Sequence, residues 1–244
     1  MNLLRDRRNL IVGGLAGAAL LGALALGIGY FVVFAGSSPQ KLALSSPTAS
    51  PSSTASSDSS PSAAAGTWTV AAGSQAGYRV REQLAGLSAP SDAVGRTSSV
   101  HGSITIAASG STYSVTAGSI TVDVNTLTSD RSMRDQRIHR MGLESDRYPT
   151  ATFVISTPIA LPADAGNGQA FRISATGALT LHGVTRTVTI PIDARLSGSQ
   201  IELVGSITFP FSDFGMTPPS IGGFVSVQDN ATMEFQVKLA RSGA

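Results

Sequence analysis

The 244-residue sequence predicts an all-β domain behind a single transmembrane helix: an antiparallel, closed barrel of about eight strands with one short helix. From residue 66 onward, short runs rich in Val, Ile, Thr and Phe alternate between apolar and polar positions with period two. Gly, Ser, Asn and Asp separate these runs, as is typical of turns between strands. Before them lie an apolar run without charge over residues 10–35 and a tract of Ser, Thr, Pro and Ala. A β-sandwich is the alternative architecture for the same strands.

The first element is the predicted membrane anchor. Residues 1–9 are basic, with Arg5, Arg7 and Arg8 against Asp6, and residues 10–35 carry no charge. At ~1.5 Å per residue, this run is long enough to cross a hydrocarbon layer of ~30 Å. The apolar region of a secretory signal peptide is only ~7 to 15 residues long. We therefore expect an uncleaved anchor, with secretion after signal-peptide cleavage as the alternative.

The charges around this span predict its orientation, because basic residues favour the cytoplasmic side of a membrane. Three arginines precede the span and a lone Lys41 follows it. Residues 1–9 are therefore expected in the cytoplasm, and the C-terminal domain in the periplasm or the extracellular space. The chain has no cysteine, so the core of an exported domain must hold it together without disulfides. The predicted location is a cell membrane, as in a bacterial envelope.

The second element, residues 36–66, consists mainly of Ser, Thr, Pro and Ala. It has too few large apolar side chains to offset the entropy lost on ordering. We expect a disordered linker between the anchor and the folded domain, which is predicted over residues 67–241.

The folded domain contains nine candidate strands. An antiparallel set of this size must hide its two edges, and closing into a barrel does so completely. A barrel of about eight strands has room inside for one small ligand. Pro191 and Pro210 each remove a ladder donor, so they are expected at bulges or at a poorly paired edge. The candidate strands are residues 67–70, 76–80, 99–107, 113–124, 151–156, 170–181, 184–196, 201–211 and 231–239.

One helix and several tight turns connect the strands. The helix is predicted over residues 128–142, capped by Thr128 or Ser129 and ended by Gly142. Clusters of Gly, Ser and His between strands predict hairpin turns. These turns are expected at residues 108–111, 181–183 and 197–199.

Two stretches with distinctive residues carry a resemblance to a known family. Residues 130–153 (DRSMRDQRIHRMGLESDRYPTATF) hold an Arg-Asp pair in the helix and a Tyr-Pro step before a strand. Residues 177–186 (GALTLHGVTR) form a strand, a Gly turn and a second strand. Together with residues 209–215 (FPFSDFG) and 231–238 (ATMEFQVK), they resemble the YceI-like family over about residues 68–239. This resemblance implies a lipocalin-like barrel that binds a polyisoprenoid.

The chain departs from the family pattern at the predicted mouth of the barrel. Many members have a His shortly after the first barrel strand and a Gly-x-Phe before the second. This chain has Glu82, Gln83 and Leu84 at the first place and Gly95-Arg-Thr at the second. The contacts made at the mouth are therefore the part of the resemblance that does not carry over.

Four arginines, Arg131, Arg134, Arg137 and Arg140, recur every three residues along the predicted helix. Such a stripe is either a solvated face with helical ion pairs or a site for an anionic head group. Arg134 and Asp135 match the family's Arg-Asp motif, which either fastens the helix to the barrel or contacts the ligand. A buried arginine without a partner is strongly destabilising, which favours the fastener if the pair is buried.

The resemblance implies that an isoprenoid tail occupies the barrel interior between apolar side chains that point inward. Burial of such a tail contributes ~25 cal/mol per Å² of apolar area removed from water. Inward apolar residues at period two are equally expected in a filled core, so a tunnel and a filled core both remain open. The candidate binding residues are Tyr78, Val80, Ile104, Val122, Phe153, Phe171, Ile173, Leu179, Val188, Phe209, Phe211, Phe214 and Phe235, with Arg134 and Asp135 as the polar candidates.

The sequence shows no constellation of catalytic or metal-binding residues. His101, His139 and His182 are far apart and form no metal-ligand spacing, and solvent exposure is expected for His182 because it lies in a turn. There is no Gly-x-Ser-x-Gly elbow, no Gly-rich phosphate loop and no cysteine nucleophile. We therefore predict no enzymatic activity, no metal, no nucleic-acid partner, and no cofactor other than a bound isoprenoid lipid.

The predicted function is a membrane-anchored, externally displayed binding protein for an isoprenoid lipid of the quinone or polyprenyl type. Its expected partners are the lipid ligand and the membrane, the latter through residues 10–35, and its oligomeric state is left open. The alternative is a non-catalytic module of the cell envelope with a filled barrel, whose partner binds the barrel rim or the turn at residues 148–150. An enzyme acting on an isoprenoid is a third, weaker hypothesis, because no acid-base pair is visible.

Overall fold

A computed structural model describes residues 38–46, 64–84, 90–221 and 225–242 of the chain. The chain divides into two compact units, Met1–Pro39 and Gln40–Ala244. The predicted basic terminus and the predicted transmembrane anchor over residues 10–35 lie outside the described residues. Within the described part, no helix is long and apolar enough to cross a membrane.

The second unit contains an antiparallel β-sheet with pairing between strands that are mostly neighbours in the chain. The described strands fall at or near the predicted ones, with additional short strands between them. They are β1 (Gly66–Val70), β2 (Gln75–Leu84), β3 (Ser91–Thr97), β4 (Val100–Ser109), β5 (Thr112–Asp123), β6 (Thr128–Ser129), β7 (Thr150–Ile155), β8 (Ile159–Ala160), β9 (Ala170–Leu181), β10 (Val184–Ser197), β11 (Gln200–Phe209), β12 (Ser220–Ile221) and β13 (Val225–Arg241).

The sheet closes on itself as a barrel with eight strand positions. The strands β1 and β2 follow one another along the same position, and both pair with β13: Val70 lies opposite Leu239, and Gln75 lies opposite Gln236. The pairs β3/β4 and β5/β6 occupy the next two positions, and β7, β9, β10, β11 and β13 complete the circuit. The prediction of a closed antiparallel barrel of about eight strands is confirmed, and the sandwich is not.

Three hairpin turns lie where the sequence predicts them, at residues 110–111, 182–183 and 198–199. In the second of these, both central residues have positive φ, 51° for His182 and 73° for Gly183. A type I′ turn requires positive φ at both positions, and its twist matches that of the flanking strands. This turn joins β9 to β10 in direct register, with Leu181 opposite Val184.

The barrel wall is split between β10 and β11 at one end, and Pro191 marks the start of the split. The two strands pair from Ile192 opposite Gly205 onward, whereas the earlier half of β10 pairs with β9 alone among the described strands. Because Pro191 has no N–H to donate, it suits this poorly paired edge, as predicted. A 3₁₀ turn, Phe211–Phe214, follows Pro210 and lies against the edge, where Arg186 Nε donates to the Asp213 carbonyl (2.8 Å).

The α-helix of the described residues is shorter than predicted. The helix α1 covers Ser132–Arg137 and continues into a π-helical turn, Ile138–Gly142. Leu143 closes this turn by donating its N–H to the Ile138 carbonyl (2.8 Å). The predicted end of the helical segment at Gly142 is therefore confirmed.

The predicted start of the helix is wrong. Thr128 and Ser129 are extended and form β6, which pairs with β3, and the N-cap position is Arg131. The reason lies in Asp135, whose carboxylate accepts hydrogen bonds from the Ser129 backbone N–H (3.0 Å) and hydroxyl (2.6 Å). Asp135, inside the helix, thus accepts hydrogen bonds from Ser129, which precedes the helix. The prediction has the reverse arrangement, with Thr128 or Ser129 capping the helix.

The strand β3 has no counterpart among the predicted strands because its inward positions are small. Ala93 and Gly95 are buried on the inner side of the barrel, where other strands carry Val, Ile or Phe. The apolar alternation that reveals the other strands is therefore weak here. The small residues leave room for Tyr78, whose ring lies directly over Gly95.

The core is divided between the two ends of the barrel. The packed end, defined by Trp68 and Leu239, contains side chains that are at most 1% exposed. Trp68 is the single tryptophan, and its Nε1 donates to the Ala64 carbonyl (2.9 Å). The mouth end, defined by Phe209 and Phe214, is a separate cluster near α1.

Residues 40–46, which we call the outer strap, lie along the outer surface of the barrel although they belong to the predicted linker. The Ser45 hydroxyl and N–H donate to the Glu202 carboxylate (2.8 and 3.1 Å). Gln236 donates to the same carboxylate (2.7 Å), and Arg195 donates to the Ser45 carbonyl (2.7 Å). The strap therefore covers polar groups of β10, β11 and β13, while residues 47–63 of the predicted linker lie outside the described residues.

Candidate functional site

A cavity of about 610 Å³, the mouth cavity, lies at the mouth end of the barrel beneath α1. Its volume falls in the range of ~300 to 1,000 Å³ that is typical of small-molecule sites. Hydrocarbon makes up most of its wall, which suits an apolar ligand. The apolar wall residues include Val80, Val122, Val124, Leu127, Leu143, Leu181, Phe209, Phe211, Met216 and Met233.

A second cavity of about 120 Å³, the inner cavity, lies deeper in the barrel. Both cavities are bounded by Ala76, Val122, Ala151 and Met233, so they adjoin. The wall of the inner cavity is almost wholly apolar and reaches the packed end at Ile190. An extended apolar ligand that entered the mouth cavity could therefore continue toward the centre of the barrel.

The structure brings most of the predicted binding residues onto the walls of these two cavities. The alternation along each strand correctly gave their inward direction. Tyr78, Val80, Val122, Arg134, Phe209 and Phe211 line the mouth cavity. Ile104, Phe153, Phe171, Ile173, Leu179 and Phe235 line the inner cavity.

Three of the predicted residues, Val188, Phe214 and Asp135, line neither cavity. Phe214 is 1% exposed and packs edge-on against Phe209, with ring centroids 4.7 Å apart, so it supports a wall residue. Val188 packs against both core clusters from β10. Asp135 is held by Ser129 at the start of α1.

Arg134 is the central charged group at the mouth. Its guanidinium donates to the Glu82 carboxylate (2.7 Å) and also contacts the Asp130 carboxylate. Both side chains of the Arg134–Glu82 pair are largely buried, at 14% and 9% exposure. Burial alone would lower the pKa of Arg134, but Glu82 and Asp130 raise it above its ordinary value. The charge on Arg134 is therefore fixed and closely compensated.

The Arg-Asp motif fastens the helix to the barrel through two separate contacts. Arg134 reaches Glu82 on β2, whereas Asp135 reaches Ser129 on β6. A buried ion pair is strongly destabilised when one partner is removed, so the Arg134–Glu82 contact holds α1 over the mouth. Of the two interpretations of the motif, this geometry favours the fastener for Asp135 and leaves Arg134 as both fastener and wall residue.

Tyr78 lines the mouth cavity, and its hydroxyl oxygen is buried. The hydroxyl oxygen is inaccessible to solvent. Burial raises the pKa of Tyr78 well above its usual range, so the hydroxyl stays protonated and can donate. The Ser129 side chain lies close enough to hydrogen-bond with Tyr78 and offsets part of this rise in the pKa, and the Ser129 hydroxyl also contacts Asp135 (2.6 Å).

The domain that encloses both cavities matches a known family. The YceI-like domain matches residues 68–239, a range that includes every wall residue of the two cavities. The chain belongs to the YceI-like family. The membership inferred from the two sequence stretches is thereby confirmed over the predicted range.

Among relatives of known sequence, a UPF0312 protein of Vibrio parahaemolyticus is 31% identical over 117 residues. The aligned part is 45% of this chain and 58% of that protein. The chain therefore spans less than two thirds of the length of the curated relative that it matches.

Two solved structures are similar to this domain. A polyisoprenoid binding domain from Saccharophagus degradans, implicated in plant cell wall breakdown, superposes with a TM-score of 0.53 at 15% identity, covering 72% of this chain and 99% of that chain. BcnA from Burkholderia cenocepacia gives a TM-score of 0.48 at 20% identity, covering 66% of this chain and 95% of its own. The first likeness shows that the YceI-like domain has the expected lipocalin-like barrel.

Within the YceI-like domain, the two stretches that carry the family resemblance meet at the mouth end. The strands β7 and β9 pair, with Phe153 opposite Leu179. The Tyr148 ring lies 4.7 Å from the His182 ring, between centroids, and covers Gly183 of the β9–β10 turn. The two stretches are separated in the sequence but contact each other in the fold.

His182 is largely buried, although its place in a turn predicts exposure. Its side chain is 11% exposed, and its Nδ1 lies 3.1 Å from the Phe214 carbonyl oxygen. Because a carbonyl only accepts hydrogen bonds, Nδ1 carries the proton. Tyr148 covers the ring, and Nε2 lies 3.5 Å from the Glu144 carboxylate. The histidine therefore ties the turn to the adjoining wall.

Sequence reasoning missed several wall residues, of which Glu82 is the most informative. It follows Tyr78 and Val80 at period two on β2, so the alternation that identified those two residues also places Glu82 inward. Its partner Arg134 lies on a distant segment, which no local pattern reveals. The other missed wall residues include Ala93, Leu127, Asp130, Met133, Ile138, Leu143, Met216, Val227 and Met233.

Proposed function

We propose that the YceI-like domain of this chain binds an isoprenoid lipid, with the apolar tail in the two adjoining cavities and the head at the mouth. The observation that carries this proposal is the apolar mouth cavity of about 610 Å³, which opens the interior of a closed barrel to a ligand-sized molecule. The name of the Saccharophagus degradans domain, which describes polyisoprenoid binding, supports the same class of ligand.

Burial of hydrocarbon is the driving force for this binding. Each 100 Å² of apolar tail surface that leaves water contributes about 2.5 kcal/mol, from which the cost of association is subtracted. The inner cavity adds a place for the end of the tail, lined by Phe153 and Phe235. A branched, unsaturated chain suits a wall of aromatic and β-branched side chains because neither surface offers hydrogen-bonding groups that would be left without partners.

The proposed role is binding without catalysis. The carboxylates nearest the mouth are engaged: Arg134 holds Glu82 and Asp130, and Ser129 holds Asp135. General acid-base catalysis needs a group free to exchange a proton with the substrate. In the described part of the chain, three or more His, Asp or Glu side chains do not come together in a way that could hold a metal ion.

We propose that residues 10–35 anchor the chain in a cell membrane, with the barrel displayed outside the cytoplasm. The support is the apolar run without charge and the arginines that precede it. Membrane fractionation and protease treatment of intact cells test this part separately. We expect the chain in the membrane fraction with a barrel that external protease can reach; a barrel protected until the membrane is broken contradicts the proposed orientation.

Native mass spectrometry of the purified full-length chain, followed by organic extraction, tests the binding proposal. We expect an apolar molecule of defined mass bound in a one-to-one ratio. The outcome that would contradict the proposal is an empty protein that also refuses added long-chain prenyl quinones and prenols. That result would favour the alternative, an envelope module whose partner binds the barrel rim or the turn at residues 148–150.

A further inference from the structure

We infer that the barrel docks onto the surface of an anionic bilayer through an outward face of α1 and the π-helical turn that follows it. We call this surface the rim face and define it by Met133, Arg137, Arg140 and Met141. The partner is a membrane that carries negatively charged phospholipid head groups. This inference adds a partner to the proposed function and rests on it only for the purpose of docking, which is to pass a lipid between the bilayer and the mouth cavity.

The first observation is the exposure of two large apolar side chains on the rim face. Met133 and Met141 are 69% and 75% exposed, and Val154 on β7 is the other exposed large apolar side chain among the described residues. A single exposed apolar residue is ordinary, whereas a pair on one short segment favours contact with another molecule. Met133 also lines the mouth cavity, so the pair lies at the edge of the opening.

The π-helical turn brings the two methionines toward the same side of the segment. Residues eight apart in a regular α-helix differ by about 80° around its axis, because 3.6 residues complete a turn. Here the Leu143 N–H donates to the Ile138 carbonyl, five residues earlier, so the turn winds less per residue. Met141 therefore returns toward the direction of Met133, and Arg137 lies midway between them in the sequence, four residues from each.

The second observation is the positive charge beside the methionines. Residues 131–142 contain four arginines and one acidic residue, Asp135, whose carboxylate is held by Ser129. Arg140 is exposed and Arg137 is half-buried, and neither forms an ion pair within the part of the chain that the structure describes. Each basic side chain near an anionic membrane surface strengthens binding about fivefold. The rim face therefore combines apolar groups with cations that suit phospholipid head groups.

The carboxylates near the rim face precede or follow it in the chain and have partners of their own. Asp130 contacts Arg134 and lies 3.7 Å from Arg131. Glu144 lies 3.5 Å from His182 Nε2 at the β9–β10 turn. The rim face itself is left positively charged.

The position of the rim face favours a bilayer over a protein as its partner. Long basic side chains hold their charges among head groups while neighbouring apolar side chains enter the boundary of the acyl chains. The buried Arg134–Glu82 pair fastens α1 to the barrel, so docking would place the mouth cavity at the membrane surface. An isoprenoid tail that enters there avoids passing through water, and removal from water is what drives its burial.

Oxidation of methionine in lipid vesicles tests this inference on the full-length chain, because each thioether reports on its own surroundings. The chain is reconstituted into vesicles of phosphatidylcholine alone, or of equal parts phosphatidylcholine and phosphatidylglycerol, and treated with hydrogen peroxide. Mass spectrometry of peptides gives the rate of sulfoxide formation at each methionine. Sedimentation with vesicles is not a sufficient measurement, since the proposed anchor would retain the chain whether or not the rim face docks.

We expect Met141 to be oxidised at least about fivefold more slowly in the anionic vesicles than in the neutral ones, with the difference lost at high salt. Arg140→Gln should remove most of this protection. Arg172→Gln is the matched control, because it makes the same change of charge at an exposed site on β9, and it should keep the protection. Equal oxidation rates of Met141 in the two kinds of vesicle, or equal loss of protection in the two variants, overturn the inference.

A second methionine separates this inference from the proposed function. Met141 lines neither cavity, whereas Met233 lines both, so Met233 reports a ligand inside the barrel. If added prenol protects Met233 while anionic vesicles leave Met141 unprotected, lipid binding stands and docking is overturned. If anionic vesicles protect Met141 while prenol leaves Met233 unprotected, docking stands and the proposed lipid binding is contradicted.

Discussion

Glycines on neighbouring strands allow three aromatic side chains to lie against the inner wall of the barrel. Tyr78 is opposite Gly95, and Phe235 is opposite Gly205. In each pair, a Cβ on the glycine would come within 2.5 Å of the ring. Phe153 covers Gly177 in a similar way. Rings that lie flat against the wall project less far toward the barrel axis. The space around the axis therefore stays open for a ligand.

Gly177→Ala should destabilise the barrel by about 1 to 3 kcal/mol, because its Cβ would lie 2.3 Å from the Val154 carbonyl oxygen and 2.6 Å from the Phe153 ring. The backbone oxygen cannot move aside without disturbing the β7–β9 ladder. Gly166→Ala is the matched control, since its Cβ would meet nothing within 4 Å, and we expect a change within about 0.5 kcal/mol. Urea unfolding measures both. Equal effects at the two positions would contradict the steric explanation.

A buried ion-pair network lies on the outer face of β2, β3 and β13. Arg79 and Glu234 have side chains that are 9% and 4% exposed, and they are 3.4 Å apart. Arg96 also pairs with Glu234 (2.8 Å), and Asp92 pairs with Arg79 (3.2 Å). Charged groups so far from water need their partners.

Glu234→Gln should lower the free energy of unfolding by about 3 kcal/mol, because two arginines would lose their shared carboxylate. Arg172→Gln, which removes an exposed cross-strand pair with Asp193, is the control. We expect no measurable change in its free energy of unfolding. Both variants are compared by denaturant unfolding at neutral pH. An equal loss of free energy of unfolding in Arg172→Gln and Glu234→Gln would contradict this explanation.

At the scale of elements, the alternation of apolar residues predicts the long strands and their inward faces, as in β9 and β10. It cannot predict β3, whose inward residues are small, or the start of α1, which depends on the contact from Asp135 to Ser129. The residues of the candidate site are likewise predictable only in part. Inward direction is a local property, whereas the choice between core and cavity depends on neighbouring strands. Glu82 shows this, because its partner Arg134 comes from a distant segment.

The outer strap is the element whose attachment should depend on pH. Burial alone would raise the pKa of Glu202, but hydrogen bonds from Ser45 and Gln236 lower it below its usual 4.5. A depressed pKa in the docked state means that the carboxylate stabilises docking above pH ~4.5 and that this stabilisation is lost as the pH falls through the lowered value. The strap should therefore be held at neutral pH and released in acid.

Hydrogen exchange of the Ser45 amide, expressed as a protection factor, measures this release. We expect protection at pH 7 that declines below pH ~4.5, and much less dependence on pH in Glu202→Gln. Asp92, whose pKa is also lowered, lies elsewhere on the outer face beside Arg81 and Arg79, so the Glu202 variant isolates the strap. Protection that stays constant down to pH 3 would contradict the role of this carboxylate.

At the scale of the whole molecule, the barrel separates stability from binding along its axis. The packed end contains fully buried side chains such as Leu239, whereas the mouth end surrounds the larger cavity. Shortening a side chain that faces a cavity removes few packing contacts within the protein. The same change removes apolar surface from the ligand site. Substitutions at the two ends should therefore affect different measurements.

Leu239→Ala should destabilise the domain by about 2 to 5 kcal/mol, because Leu239 is 0% exposed in the packed end, and should leave lipid affinity unchanged in the folded protein. Val80→Ala should cost less than about 1 kcal/mol of stability and weaken lipid binding by about tenfold, since it removes apolar wall from the mouth cavity. Unfolding curves and lipid titrations on both variants check the pattern. The separation fails if Val80→Ala unfolds the barrel as readily as Leu239→Ala.

The position of Trp68 gives the barrel an optical probe of its own. It is the single tryptophan, it is 1% exposed, and it lines neither cavity. Its fluorescence should shift to longer wavelength when the packed end opens and stay constant when a ligand enters or leaves the mouth. One emission spectrum therefore distinguishes an unfolded protein from an empty one.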